Sequence, residues 1–295
     1  MPSFAASFAG FMLRTTGHYR RMFTGGPQFQ KNISKVRSGP QPSPSVTAGL
    51  DVRQSTFQGR PVWHIAPKDR TPSAHVLFWH GGGYVYPATD IHWKFLSRMA
   101  SQYGWSVTAP LYPLAPENAA AHITSWANDY YAAYRDEIGH KPFVMGGDSA
   151  GGGLTAALAQ MARDAAQPLP AALLLICPWL NLDPAHPDQL KTEPRDGILT
   201  ISGISEGGTL YAGDLPRTDP RCSPIFGNWD GLPSILAFAG GDDILVTDSR
   251  ALKAKLPSVE VTELSGMMHD WPIFRFSESR KAQAQMADFV ARAVA

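Results

Sequence analysis

Short, fully apolar runs alternate along this chain with longer stretches of helical periodicity. Residues 76–79, 143–145, 173–176 and 235–239 contain no polar position, the pattern of strands buried on both faces. Residues 92–103 and 119–137 read as helices, with a strand at 106–109 between them. Such alternation predicts an α/β fold whose mostly parallel sheet is covered on both faces. Residues 52–57 and 62–65, joined around Gln58-Gly59-Arg60-Pro61, predict an opening antiparallel pair. Near the end, 248–256 reads as a helix with Asp248 at its terminus, followed by a strand at 259–264.

Two stretches stand outside this alternation. Phe4, Phe8, Phe11, Met12, Tyr19, Met22 and Phe23 fall on one helical stripe. The stripe is expected to pack over the active site as a cap, basic side in water; the alternative is a helix resting on an anionic membrane surface or an organelle-targeting segment. Residues 38–45, with Pro40, Pro42 and Pro44, predict an extended linker. Residues 178–233 are rich in Pro, Asp and Gly with a helical run near 201–211, too long for a simple crossover. The expected division is an N-terminal cap segment and linker over 1–45, a core over 46–177 and 234–295, and a cap insertion over 178–233.

Length and composition bring in little that the pattern lacks. With 295 residues, 44% of them hydrophobic, one large core can be buried. A net charge of +1 gives no basic surface for nucleic acid, and no Cys/His spacing suggests a metal module. Residues 1–50 nevertheless hold no Asp or Glu, whereas Arg14, Arg20, Arg21, Lys31, Lys35 and Arg37 are basic. No apolar run approaches the ~20 residues that span a bilayer, so no stable membrane insertion is expected. Residues 4–13 lack a preceding basic region, which argues against a secretory signal. Cys177 ends an apolar run, where a buried free thiol is the default, and with only two cysteines no disulfide is expected; a reducing, cytoplasmic location fits.

Chemistry enters at Gly147-Asp148-Ser149-Ala150-Gly151. This G-x-S-x-G pattern lies between a predicted strand and a helix of small residues, where a strained turn exposes the serine hydroxyl. The N–H after the serine sits at the start of the helix, so negative charge developing on a substrate oxygen would meet free donors. The strand at 76–79 ends in His80-Gly81-Gly82-Gly83, whose glycines let the main chain approach a ligand and aim N–H groups at it. A serine nucleophile needs a base, and of nine histidines only His269 follows His186, in the loop after the last strand where a Ser, acid, His order places the base. The acid should follow the strand at 235–239, where Asp242 and Asp243 stand side by side. Successive side chains leave an extended backbone in opposite directions, so only one of them orients His269.

These residues resemble the hormone-sensitive-lipase-like branch of the α/β-hydrolases, the bacterial carboxylesterases, from about Val76 to the C-terminus. The resemblance rests on His80-Gly81-Gly82-Gly83, Gly147-Asp148-Ser149-Ala150-Gly151-Gly152 and Gly266-Met267-Met268-His269, with Tyr112-Pro113-Leu114-Ala115-Pro116-Glu117 as a further signature. It implies an α/β-hydrolase fold with an eight-stranded sheet, flanking helices and a helical cap, and an oxyanion hole of Gly82, Gly83 and Ala150. The family's acid stands in an Asp-Pro-Leu stretch whose proline is absent here. Matching Leu245 selects Asp243, and counting from Ala239-Gly240 selects Asp242; Asp243 is taken as the acid.

The expectation is therefore a serine carboxylesterase acting on short- to medium-chain acyl esters through Ser149, His269 and Asp243 and an acyl-enzyme. Tyr84, Tyr86, Trp93 and Trp179 are the candidate pocket walls, bulky enough to favour short chains. No metal or organic cofactor is implied, the partner is a small-molecule ester, and a homodimer is compatible with such folds. Lactone or amide hydrolysis by the same triad is the alternative, and a non-catalytic ligand-binding protein on this fold is the remote one.

Overall fold

The computed structural model describes residues 2–183 and 186–295, so Met1 of the arm and Pro184 and Ala185 of the insertion lie outside the described residues. The apolar runs form the centre of an eight-stranded sheet. In chain order the strands are β1 (Leu50–Phe57), β2 (Arg60–Pro67), β3 (Ala74–Trp79), β4 (Trp105–Pro110), β5 (Phe143–Asp148), β6 (Ala172–Ile176), β7 (Ser234–Gly240) and β8 (Glu260–Leu264). They lie in the spatial order β1-β2-β4-β3-β5-β6-β7-β8. β1 pairs antiparallel with β2, and β2 with β4, while all later pairings are parallel. The β1–β2 hairpin closes on Gln58 and Gly59, both at positive φ, which matches the right-handed twist of the paired strands.

Every residue of β5 and β6 is buried, whereas β1, at one edge, alternates between half-buried and exposed. Helices α4 (Asp90–Tyr103), α5 (Ala120–Ile138), α6 (Ala150–Asp164), α9 (Val246–Lys255) and α10 (Ser277–Val294) bury their apolar sides. Before them in the chain come α1 (Phe4–Thr16), α2 (His18–Met22) and α3 (Pro27–Lys35), and the insertion contributes α7 (Pro187–Thr192) and α8 (Ile201–Ala212). The insertion thus holds a second helix beyond the one its sequence predicts. In a parallel sheet the loops at the carboxyl ends of the strands gather at one edge. Those after β3, β5, β7 and β8 carry His80, Ser149, Asp243 and His269.

The arm departs from expectation in two ways. The continuous stripe is broken at Gly17, which at φ +59 ends α1 with its N–H bonded to the Leu13 carbonyl. The buried side of α1 is Ala6 and Gly10, while Phe4, Phe8 and Phe11 are 86%, 53% and 53% exposed. The expected burial of the stripe is thereby overturned along α1, whereas Met22 and Phe23, beyond Gly17, are half-buried and face the cavity over Ser149. Polar anchors hold the arm: Ser3 at the start of α1 is held by Glu278, Arg14 of α1 faces Asp242, and Arg20 of α2 donates to the carbonyls of Glu193 and Asp196 in the insertion. The small side of α1 meets Met268, just before His269. Nor is the proline stretch a free spacer, because Trp93 Nε1 donates to the Pro40 carbonyl at 2.6 Å and Pro42 is buried.

The crossing of β3, β5 and α6 leaves no room for a methyl group. A Cβ on Gly151 would stand 2.0 Å from the Trp79 carbonyl oxygen, and one on Gly147 would stand 2.4 Å from Gly151. Gly151→Ala is therefore expected to destabilise the protein by at least about 2 kcal/mol through overpacking, read as a lower midpoint in thermal or urea unfolding. An unchanged midpoint would contradict this account of the turn.

Candidate active site

Ser149 lies between β5 and α6 at φ 52 and ψ −120, a backbone conformation that L-residues rarely adopt. The surrounding bonds hold it there. Its N–H donates to the Ile176 carbonyl at 2.8 Å, and its carbonyl accepts from Gly153 and Trp179 N–H groups at 3.1 and 2.9 Å. Strain retained by this many bonds is what an exposed nucleophile at the start of a helix requires.

Asp243 and His269 meet beside it. His269 Nδ1 lies 2.7 Å from Asp243 Oδ2, both side chains being buried. Asp243 Oδ1 accepts the Leu245 N–H at 2.8 Å, which fixes the carboxylate. The neighbouring Asp242 turns the other way and pairs with Arg195 at 3.0 Å and Arg14 at 3.8 Å. Of the two adjacent carboxylates, only Asp243 faces the imidazole. Burial opposes a charge on His269, but Asp243 and Asp270 outweigh it and raise the imidazole well above its usual range.

The glycine loop after β3 is anchored from below. Gly81 N–H donates to Asp148 Oδ1 at 3.0 Å, and Asp148 Oδ2 lies 3.1 Å from His92 Nε2. The Thr89 N–H donates to His92 Nδ1 at 3.0 Å, so the ring's proton sits on Nε2 and points at Asp148. His80 stacks on Tyr112 with 4.4 Å between centroids, and burial lowers its pKa to about 4, keeping it neutral. Gly82 and Gly83 both have positive φ. Among the described residues, the N–H groups of Gly82, Gly83 and Ala150 have no hydrogen-bond acceptor. Sequence reasoning missed Asp148 and His92 as supports of the glycine loop; the one signal it offers is an acidic residue, Asp148, inside the serine turn.

A cavity of about 190 Å³ opens over these groups. Ser149, His269, Asp270 and Gly82 line it, together with Leu13, Met22 and Phe23 from the arm and Ile198 and Leu199 from the insertion. Tyr86 lines it, and Trp179 borders a smaller space on the other side of Ser149. The remaining two wall candidates require correction. Tyr84 is buried with its ring stacked 3.5 Å from Tyr211, and Trp93 packs against Trp63, so neither lines the cavity. Aromatic residues next to a catalytic loop are absorbed here by the core, because their large surface is most stabilising there. Asp248 likewise does more than end a helix: its buried Oδ2 accepts the N–H groups of Leu180 and Asn181, tying the start of the insertion to α9.

Cys177, Asp243 and His269 bring three potential metal ligands within 4.8 Å of one another. They make a poor metal site. Burial, first, and the nearby carboxylates raise the Cys177 thiol well above its usual range, and His269 already spends Nδ1 on Asp243.

Comparison with known proteins bears on the fold and on the class of reaction. The sequence pattern of a family described as having the alpha/beta hydrolase fold matches residues 76–273. LipR of Mycobacterium tuberculosis, assigned as an acetyl-hydrolase, is 32% identical over 254 residues, covering 83% of this chain and 80% of its own. An acetyl-hydrolase of Streptomyces hygroscopicus is 34% identical over 208 residues, covering 66% of this chain and 67% of its own. An esterase structure from the bacterial hormone-sensitive lipase family superimposes with a TM-score of 0.84, covering 100% of both chains at 24% identity.

Proposed function

The chain belongs to the α/β-hydrolase family and is an ester-hydrolysing enzyme; from that premise we propose that it is a serine carboxylesterase of the hormone-sensitive-lipase-like branch, acting on short- to medium-chain acyl esters. The observation that carries this reading is the buried 2.7 Å contact between His269 and Asp243 at a cavity that Ser149 also lines. In this reading Ser149 Oγ attacks the ester carbonyl while His269 Nε2 takes its proton. Asp243 keeps the imidazole proton on Nδ1 and stabilises the ring when it becomes positive. The tetrahedral oxyanion is received by the N–H groups of Gly82, Gly83 and Ala150, donors worth about 3 kcal/mol each where comparable ones have been removed. Collapse expels the alcohol, protonated by His269, and water then cleaves the acyl-enzyme by the same route.

The arm and the insertion act together as the lid. Both contribute apolar side chains to the cavity, and Arg20 joins them. At about 190 Å³ the cavity falls below the range of about 300–1,000 Å³ typical of pockets for larger ligands, which favours small acyl groups. Hydrolysis of a p-nitrophenyl ester series from acetate to palmitate is expected to peak at a short or medium chain. A maximum at palmitate would reject the chain-length assignment, and activity confined to lactones or amides would reject the ester assignment.

A further inference from the structure

Asp270, immediately after His269, is a polar residue of the cavity that the mechanism above does not use. It has φ 55 and ψ 24, a left-handed conformation that Asp tolerates better than most residues. This turns its carboxylate back onto the preceding imidazole. Asp270 Oδ2 lies 3.2 Å from His269 Nε2, while Oδ1 is buried and, among the described residues, has no hydrogen-bond partner. The imidazole is thus held between two carboxyl groups: Asp243 at Nδ1 and Asp270 at Nε2.

Nε2 is the nitrogen that has to accept the serine proton. A carboxylate oxygen at this distance faces the Nε2 lone pair when the ring is neutral there and an N–H when the ring is charged, so it favours the protonated imidazole. In that form Nε2 already carries a proton and cannot accept the one on Ser149. We propose that Asp270 is a positioning residue that holds His269 from its Nε2 side in the resting enzyme, so that the imidazole becomes a base only when the Nε2 proton has left.

Other groups face this pair from every side. Asp243 comes from the loop after β7, Cys177 from the end of β6, Asp148 from the end of β5, His92 from α4 and Asp196 from the insertion. The acidic neighbours favour retention of the proton. Burial, ahead of the Asp148 and Asp243 charges, raises the Asp270 carboxyl to about 7, in opposition to His269. The activity controlled by His269 therefore rises with pH, along a limb that lies higher than an ordinary histidine would place it.

This inference rests on His269 being the base, and two readouts separate its failure from the failure of that reading. The first is the pH profile of kcat/KM for the parent, Asp270→Asn and Asp270→Gly. Asn keeps size and tolerates positive φ; Gly removes the side chain where the backbone favours its absence. Both substitutions are expected to move the acid limb down by at least one pH unit, raising activity about tenfold at a fixed pH on that limb, with the alkaline plateau within about threefold of the parent. The second is NMR titration of the His269 imidazole, assigned by its loss in His269→Gln, which needs no turnover and is expected to shift down in both variants. An unmoved or raised limb and titration would overturn the proposal. So would a lowered plateau with the limb in place, the mark of a merely structural contact. If no ester is hydrolysed at any pH, the esterase reading fails while the titration still decides the role of Asp270.

Discussion

Ser149→Ala is expected to reduce ester hydrolysis by about ten-thousandfold or more, the larger of the two greatest effects anticipated for this site. The loss follows from geometry. The backbone at φ 52 holds one side chain at the start of α6 beside the Gly82 and Gly83 loop, and a methyl group there has nothing to transfer. His269→Ala is expected to lose about as much, because nucleophile and base act as a unit and their effects do not add. Initial rates on p-nitrophenyl butyrate, with circular dichroism to confirm folding, provide the measurement. More than about a tenth of parental activity in Ser149→Ala would require another nucleophile.

Asp243→Asn comes next, with an expected fall in kcat of about a thousandfold to ten-thousandfold. Its amide can present N–H₂ to His269 Nδ1, and a ring receiving that bond carries its proton on Nε2, the wrong nitrogen for a base. Asp242→Asn is the matched control. Its carboxylate faces Arg195 and Arg14 at the protein surface, and pairs of that kind contribute about 0–1 kcal/mol, so kcat is expected to stay within about fivefold. Reversal of the two effects would assign the acid to Asp242.

How much of this molecule is legible in its sequence depends on how local the determining physics is. The runs that form β3, β5, β6 and β7 are buried across both faces, so their lack of polar residues is an unambiguous signal. The Gln58-Gly59 turn and the Ser149 turn are equally legible, since each depends on a few adjacent residues. His269 follows from chain order alone. The orientation of α1 is not legible, because a stripe of phenylalanines marks an apolar side without saying which side meets the core; distant anchors at Glu278 and Asp242 decide it. His92 and Asp270 are silent for the same reason, and Asp148 is marked only by its place inside the serine turn. Each acquires meaning from a partner brought to it by folding, even where, as with Asp270, that partner is the adjacent residue turned by the backbone.

The short loop after β7 answers to two masters. Asp243 faces His269, and Asp242, one residue away, faces Arg195 of the insertion and Arg14 of the arm. Asp196 of the insertion accepts the N–H of Ile244 in that same loop, while its carbonyl receives Arg20. Caps are the natural parts to exchange between relatives when a new substrate range is wanted. Here such a graft would carry off the arginines that face Asp242 and the Asp196 carboxylate that accepts the Ile244 N–H beside the acid. A chimera that keeps Asp242 and its loop but imports a foreign arm and insertion should therefore bring Arg14, Arg20, Arg195 and Asp196 with it, as one inheritance.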